Sequence, residues 1–296
     1  MQKDTKHRLI GSAQIIGATL IWGVSFVILK NTLDTISPLW IMGIRFTAGA
    51  VLMFLIGLGK IKLLDRKYAL VGLVLGITLF LAYLLQTDGL KYTTPGKNAF
   101  LTAAYCVIVP FLGRLVFKTR LNRFNIMAAV ICIIGVGFVS LERDFSVNIG
   151  DLLTLGCSFF FAVQIIVLDR YVGDMDIRLL SAVQFIVCGI ISLILAPIVD
   201  GAPGRITAEM LPNFAYICVM CTVVAFMLQC FGQKNTQASE AAVLLSLESV
   251  FGTLGSVVFY HEKMTAQLIF GFALIFAAVI ITETKLDFLK GKRKKE

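Results

Sequence analysis

The chain has little charge and few of the residues that catalysis uses most. Only 15% of its 296 residues are Asp, Glu, Lys or Arg, whereas a soluble domain carries about 25%. It has two histidines, and it contains no Walker loop, no G-x-S-x-G turn and no GxGxxG motif. The stretch HEKM at 261–264 lacks the second histidine of a zinc-protease helix. We therefore expect neither an enzyme active site nor a cofactor or metal.

The sequence also shows no sign of disulfide-bonded cysteines or of a cleaved signal peptide. All seven cysteines lie inside apolar stretches, which excludes an extracellular disulfide framework. Cys218 and Cys221 have C-x-x-C spacing, but inside an apolar helix we interpret them as packing residues. The first apolar run is longer than the h-region of a signal peptide and no A-x-A-like site follows it, so we do not interpret it as one.

Long apolar runs account for most of the sequence. Apolar residues make up 58% of the chain, and the mean hydropathy is +0.87. A helix needs about 20 apolar residues to cross a bilayer core. Such runs occur at 9–30, 38–58, 67–88, 96–117, 123–141, 149–169, 178–199, 212–232, 240–260 and 264–283. They are continuously apolar and too long for barrel strands. The sequence thus predicts an all-α polytopic membrane protein with ten transmembrane helices.

The distribution of Lys and Arg predicts the orientation of these helices. If the N-terminus is cytoplasmic and the loops alternate from there, most of the 27 Lys and Arg residues fall inside. The positive-inside rule then places both termini in the cytoplasm, with the protein in the cell membrane. We interpret the net charge of +9 as this topology signal. The basic tail 287–296 is expected to lie on anionic lipid, and no nucleic-acid partner is expected.

The second half of the sequence repeats the first. At a shift of 139 residues, GSAQIIGATLIWGVSFVILK (11–30) overlays GDLLTLGCSFFFAVQIIVLD (150–169). At a shift of 143, residues 82–107 overlay residues 225–250, and nine positions are identical. Two unrelated apolar helices would share far fewer identical positions by chance, so the similarity indicates an internal duplication.

Each copy contains five predicted spans, an odd number, so the two copies must run through the membrane in opposite directions. We therefore expect two inverted five-helix repeats, at 9–143 and 148–286. Inverted repeats are typical of secondary transporters, which bind their substrate near the midplane where the repeats meet.

Several motifs resemble those of EamA-type members of the drug/metabolite transporter superfamily. They are WGVSF (22–26), IRF (44–46), GLKYTTPGKNAFLTAAYCVIVPFLG (89–113) and QASEAAVLLSLESVFGTLGSVVFYHEKMT (237–265). The resemblance implies a ten-helix carrier, and members are often exporters of amino acids, related metabolites or drugs. The chain departs from the family at Cys106 and Ser249, where proline commonly follows the Tyr and the Glu of these motifs.

Helical spacing and the repeat together indicate which side chains face a central cavity. Residues three or four apart share a helix face, and stripes at equivalent positions of the two copies should lie at equivalent depth. We expect these residues to bind substrate: Trp22, Phe26, Tyr83, Gln86, Asn98, Tyr105, Gln164, Gln229 and Glu248. The same pattern allows packing roles, since Trp22 can pack between helices and the glutamines can hydrogen-bond neighbouring helices.

Two charged residues lie inside predicted spans, where a charge requires a partner. Arg45 is well inside the second span and is either a structural tie or a substrate anchor. Glu248 lies in the otherwise apolar or small run LLSLESVFGT (244–253). It either ties the ninth helix to Arg45 or Tyr105, or lines the cavity and binds a proton and the substrate's ammonium group in turn.

These features predict a carrier that moves small organic solutes by alternating access. Aromatic and amide walls with one carboxylate suit an amine or an amino-acid-like zwitterion, and the family resemblance supplies the outward direction. The alternatives are a facilitative uniporter or a multidrug exporter. A channel or a membrane-embedded enzyme fits less well, because neither a ring of repeated polar residues nor a catalytic cluster is visible. Besides the substrate and membrane lipid, we expect no partner except a second copy, with the protein a monomer or a homodimer.

The orientation predicts where an impermeant maleimide will react. In a cysteine-free background, Ser146→Cys and Gly204→Cys should be labelled from outside intact cells, because the loops 142–148 and 200–211 are expected to be external. Gly59→Cys, in the loop 59–66, should be labelled only after lysis and serves as the control. The reverse pattern would overturn the orientation.

Overall fold

The structure is a computed structural model that describes residues 2–118, 121, 123–140, 147–171, 173–235 and 238–284. The labelling position 146 and the basic tail 287–296 lie outside these residues. Within them the α-helices are α1 (Gln2–Leu33), α2 (Pro38–Gly57), α3 (Arg66–Tyr92), α4 (Pro95–Thr102), α5 (Tyr105–Phe117), α6 (Arg123–Ser140), α7 (Ile149–Tyr171), α8 (Ile177–Val199), α9 (Leu211–Ala215), α10 (Ala225–Asn235), α11 (Ala238–Phe259) and α12 (Ala266–Thr284). Short 3₁₀ turns cover Leu58–Leu63 and Ala208–Met210, and a π-helix covers Tyr216–Val224.

The described residues form a multi-pass helical membrane protein. Eight helical stretches among them are long and apolar enough to cross a bilayer, namely Leu9–Leu33, Pro38–Leu63, Arg66–Tyr92, Pro95–Val116, Arg123–Ser140, Ile149–Leu168, Ile177–Val199 and Ala208–Gly232. Two further apolar helices, Leu244–Phe259 and Ala266–Ile281, are shorter. The outer surface is apolar as well, with Ile133 and Ile198 more than 70% exposed. Such a surface is compatible with lipid and not with water.

Local sequence signals explain where helices begin. The Asp65 carboxylate accepts a hydrogen bond from the Tyr68 backbone N–H at 2.9 Å and so begins α3. Asp176 begins α8 by accepting from the Arg178 N–H at 3.1 Å, and it pairs with the Arg178 guanidinium at 2.7 Å. The hydrogen bond from that guanidinium holds the pKa of Asp176 below its usual range. These caps satisfy backbone donors that the first turn of a helix leaves free.

Helices of the first half of the chain pack mainly against helices of the second half. α1 lies against α10 and α11, α2 lies against α8, α3 lies against α7 and α8, and α6 lies against α12. The two halves therefore do not form separate domains. The centre of the molecule is a surface that both halves build.

Glycines allow the halves to approach closely. A Cβ atom added at Gly76 of α3 would lie 2.5 Å from Val187 Cβ and 2.8 Å from the Gln184 carbonyl oxygen of α8. A Cβ atom at Gly49 of α2 would lie 2.5 Å from Thr222 Cγ2 in the π-helix. A larger residue at either position requires the neighbouring atoms to shift.

Polar groups from three other elements hold the loop between α3 and α4. Lys30 Nζ of α1 donates to three carbonyl oxygens at the end of α3, at 2.6 to 3.0 Å. Lys97 at the start of α4 pairs with Asp151 of α7 at 3.6 Å. The Glu262 carboxylate, in the loop after α11, accepts from the Gly96 N–H at 3.1 Å and from two hydroxyl groups. These contacts fix one end of the first half against the second.

Two of the predicted spans are not continuous α-helices. The span predicted at 96–117 is interrupted between Thr102 and Tyr105, where i→i−3 hydrogen bonds bridge the break, such as Ala104 N–H to the Leu101 carbonyl at 3.2 Å. The span predicted at 212–232 contains the π-helix. The first break arises although Cys106 stands where the family commonly has proline. Both irregular segments lie next to the centre of the protein.

The tight α3–α8 contact predicts the effect of a larger residue. Gly76→Leu should lower the melting temperature of the purified protein in detergent by several degrees, because overpacking costs about 1–3 kcal/mol. Gly59→Leu is the matched control, since no atom lies within 4 Å of a Cβ at Gly59. Equal melting temperatures for the two variants, measured by thermal unfolding, would contradict the packing described here.

Candidate functional site

A cavity lies where the two halves meet. It is lined by Trp22, Tyr83, Gln86, Thr102, Tyr105, Phe161, Gln164, Ile165, Phe226, Gln229, Leu245 and Glu248. These residues come from α1, α3, α4, α5, α7, α10 and α11. The cavity volume is about 60 Å³, whereas sites for small molecules usually measure about 300–1,000 Å³. A metabolite can enter only if the surrounding helices move apart.

Aromatic rings form one part of the wall and are fixed by specific contacts. The Trp22 indole Nε1 donates to the Cys221 carbonyl oxygen in the π-helix at 2.9 Å. Its ring meets Phe226 edge-on, with centroids 5.4 Å apart. Tyr83 meets Phe161 edge-on at 5.2 Å. The rings are thus held in place from both halves, and they present apolar faces to the cavity.

Amide side chains form another part of the wall. Gln86 Nε2 donates to the Thr102 hydroxyl at 3.1 Å, and Gln164 Nε2 donates to Gln184 Oε1 at 3.3 Å. Gln229 makes no hydrogen bond within the part of the chain that the structure describes. Its amide is therefore available to a ligand.

Glu248 of α11 is the carboxylate of the cavity wall, and its side chain is half-buried. Among the described residues it has neither a hydrogen bond nor an ion-pair partner within 4 Å. The expected tie to Arg45 is therefore not formed in this conformation, although the Arg45 charge acts on Glu248 at longer range. A carboxylate in such a position binds a cation or a proton from the cavity when either is present.

Arg45 of α2 lies behind the cavity wall and does not line it. Its side chain is almost fully buried, with 2% of its surface exposed. Nε donates to the Thr222 hydroxyl at 2.7 Å, and the guanidinium carbon lies 4.5 Å from the centre of the Tyr83 ring and 5.0 Å from that of Phe46. One guanidinium nitrogen also donates to the Tyr83 oxygen at 3.4 Å. These contacts favour the structural alternative for Arg45 over direct contact with a ligand.

Two of the residues expected to bind substrate do not line the cavity. Phe26 is 3% exposed and packs against α11 near Gly252. Asn98 is fully buried, and its amide nitrogen donates to the Gln86 carbonyl at 3.1 Å and to the Thr154 hydroxyl at 2.8 Å. Helical spacing defines a face and not which turn of that face reaches the cavity, so a substrate contact for these two residues stays a prediction. The other expected residues line the cavity, and a substrate contact for them stays a prediction.

The cavity is also lined by residues that were not among those expected to bind substrate. They are Thr102, Phe161, Ile165, Phe226 and Leu245. Each lies on a stripe that carries an expected residue or at the repeat position of one. Helical spacing and the repeat were therefore sufficient signals for them, although the apolar character of Phe161, Ile165, Phe226 and Leu245 made these four hard to distinguish from packing residues.

Among the lining residues that the structure describes, Glu248 is the charged side chain, and the others are aromatic, apolar, amide or hydroxyl side chains. No group of three or more His, Cys, Asp or Glu that could hold a metal occurs among the described residues.

The sequence matches a known family over nearly its whole length. Residues 9–141 and residues 148–284 each match the EamA-like transporter family. The chain belongs to the EamA-like transporter family. The resemblance carried by its motifs is thereby confirmed, and the protein is a transporter rather than an enzyme.

Individual relatives agree with this assignment. An "uncharacterized transporter" of Archaeoglobus fulgidus is 34% identical over 279 residues, which cover 94% of this chain and 87% of the relative. A "probable amino-acid metabolite efflux pump" of Salmonella typhimurium is 25% identical and covers 88% of this chain and 91% of its own length. A solved crystal structure with 16% identity aligns with a TM-score of 0.70 over 97% of this chain and 99% of its own. This last likeness concerns the fold alone.

Trp22 provides a reporter for ligand binding at the cavity. The chain has two tryptophans, and Trp40 lies outside the cavity with its indole bonded to the Gly201 carbonyl at 3.0 Å. In Trp40→Phe, a panel of amino acids and amines should include solutes that change the Trp22 emission saturably, because a ligand alters the surroundings of the indole. Trp22→Phe is the matched control and should give no saturable change. A response carried by Trp40 alone would assign binding to another site.

Proposed function

We propose that this protein is a secondary carrier that exports amino acids or related amine-containing metabolites by alternating access. The observation that carries the proposal is the cavity between the halves, where Glu248 stands without a hydrogen-bond partner among the described residues and beside aromatic rings. A carboxylate and aromatic faces together bind an ammonium group, and the Gln229 amide can bind the polar remainder of the solute. The efflux role named for the relative from Salmonella typhimurium supports the outward direction.

The architecture that we propose is ten transmembrane helices in two inverted five-helix repeats, at 9–143 and 148–286. The sequence duplication supports it. The packing supports it as well, because contacts recur in matched pairs: α3 lies against α7 as α10 lies against α1, and α5 lies against α7 as α11 lies against α1. Such matched pairs are expected when two related halves are joined by a pseudo-two-fold axis in the membrane plane.

We propose that the protein lies in the cell membrane with both termini cytoplasmic. The excess of Lys and Arg on one side of the predicted spans supports this orientation. We propose that it acts as a monomer or a homodimer, and the lining residues of the cavity that the structure describes all come from one chain.

We further propose that Glu248 couples transport to protons. Glu248 is the carboxylate that borders the cavity, and it can hold either a proton or the substrate's ammonium group, but not both. Exchange of one for the other at a single site would link each outward movement of substrate to an inward movement of a proton. The charge of Arg45 acts on Glu248, and the charge of Glu248 acts in turn on Tyr83, Cys157 and Cys221. A facilitative uniporter needs no such exchange, which makes the two mechanisms distinguishable.

Replacing Glu248 by glutamine tests the coupling. Glu248→Gln keeps the shape of the side chain and removes the site for the proton. The solute would first be identified by a thermal-shift panel of amino acids, amines, nucleosides and drugs. In liposomes, the variant should lose uptake driven by a pH gradient while expression and folding stay near wild type.

The matched control is Asp88→Asn, which makes the same chemical change at an exposed carboxylate that pairs with Lys91 at 3.0 Å. It should keep proton-driven transport. Full pH-dependent transport by Glu248→Gln, or its failure to fold, would return Glu248 to a structural role. Ion conductance in place of solute counterflow in the same liposomes would indicate a channel and overturn the carrier.

A further inference from the structure

Tyr83 is in contact with both the cavity and a buried positive charge. It lies on α3 and lines the cavity, and the guanidinium carbon of Arg45 lies 4.5 Å from the centre of its ring. The ring is held further by edge-on contacts with Phe46 at 5.1 Å and Phe161 at 5.2 Å. The position of the hydroxyl is therefore set by packing before any ligand arrives.

The hydrogen bonds of this group leave one donor unused. Arg45 donates to the Tyr83 oxygen at 3.4 Å, so the phenol acts there as acceptor. Its own O–H hydrogen has no acceptor within the described residues. A phenol both accepts and donates, and because Tyr83 lines the cavity this O–H is available to donate to a group that enters it.

The charge behind Tyr83 determines which kind of group is preferred. Arg45 is 2% exposed and has no carboxylate within 4 Å among the described residues. Its positive charge is therefore not neutralised by direct contact, and in surroundings of low polarity it acts strongly on its neighbours. An O–H donor that accepts from a guanidinium is polarised by it and binds an anionic oxygen better than a neutral one.

We propose that Tyr83, backed by Arg45, is the subsite for the carboxylate group of the substrate. The assignment deepens the proposed function and rests on it: Glu248 receives the ammonium group, and Tyr83 receives the carboxylate. Both residues border one small cavity, so a solute with the two charged groups on one carbon atom can reach both once the cavity widens. The substrate class is then an α-amino acid or a close zwitterionic relative, and a simple amine is a poor substrate. Arg45 is a positioning residue that acts through Tyr83.

Matched pairs of ligands test this assignment without any mutation. The pairs are phenylalanine with 2-phenylethylamine, leucine with 3-methylbutylamine, and methionine with 3-(methylthio)propylamine, which differ only by the carboxylate. Each compound's Kd for the purified full-length protein would be measured by calorimetry, together with the corresponding amino-acid amide. We expect the amino acid of at least one pair to bind about tenfold more tightly than both its amine and its amide, because a hydrogen bond to a charged group has about that effect.

The variant Tyr83→Phe then tests whether the preference for amino acids over amines depends on the Tyr83 hydroxyl. It removes the hydroxyl and its hydrogen bond from Arg45 and keeps the ring, so the ring contacts with Arg45, Phe46 and Phe161 remain. The variant should bind the amino acid about tenfold more weakly and bind the amine as the wild type does. Tyr92→Phe removes an exposed hydroxyl from the same helix and should leave both affinities unchanged. Arg45→Lys keeps a positive charge without the planar group and should shift the amino-acid affinity in the same direction as Tyr83→Phe.

The outcomes separate the subsite from the function on which it rests. Equal binding of amino acid, amide and amine by the wild type would overturn the carboxylate subsite and leave an amine exporter standing. If Tyr83→Phe weakened the affinities for the amino acid and the amine equally, the subsite would be overturned too, because the hydroxyl would then not bind the carboxylate. If no amino acid and no amine binds, the proposed function fails and the assignment fails with it.

Discussion

Backbone hydrogen bonding within an apolar surrounding is the constraint on which this structure depends. Lipid offers neither donors nor acceptors, so every peptide group in a span needs a partner from the protein itself. Regular helices meet this need alone, and the irregular segments meet it with side chains of other helices. Trp22 bonds the Cys221 carbonyl in the π-helix, and Lys30 bonds the carbonyls that end α3. Irregular backbone is therefore found where the halves meet, which is also where the cavity lies.

The lack of water also determines how the charges of Arg45 and Glu248 are accommodated at the centre of the protein. A direct pair between Arg45 and Glu248 would satisfy both groups, but an entering ammonium group would then have to break it. Instead the guanidinium is held by the Thr222 hydroxyl and by the faces of Tyr83 and Phe46, and the carboxylate remains available to the cavity. Arg45 thus acts on the cavity through its neighbours and through its field, while the carboxylate can meet a ligand directly.

One of the polar residues that hold the loop between α3 and α4 is not repeated in the other half of the sequence. At one end, Lys30, Asp151 and Glu262 hold the loop between α3 and α4. The shift of 143 pairs Glu262 with Thr119, which has no carboxylate, so the repeat does not duplicate this contact. His261 and its repeat mate Lys118 do share a left-handed backbone, with φ of 55° and 56°. The duplication thus preserves the left-handed turn after the helix, whereas the Glu262 carboxylate has no counterpart in the sequence of the first half.

Composition, apolar run lengths and the repeat were enough to predict a multi-pass helical transporter and the faces that meet at its centre, because burial in lipid constrains every position of a span. They also indicated Glu248, since a carboxylate in an apolar run is costly wherever it lies. Only the tertiary structure decided that the Asn98 amide donates hydrogen bonds to Gln86 and Thr154 and does not line the cavity. It also decided that Phe26 packs against α11 and that Arg45 contacts Tyr83 outside the cavity lining. These outcomes depend on helix rotation, on breaks in the helices and on approach distances at glycines. Each is set by contacts between residues far apart in sequence, and periodicity along one helix contains no information about them.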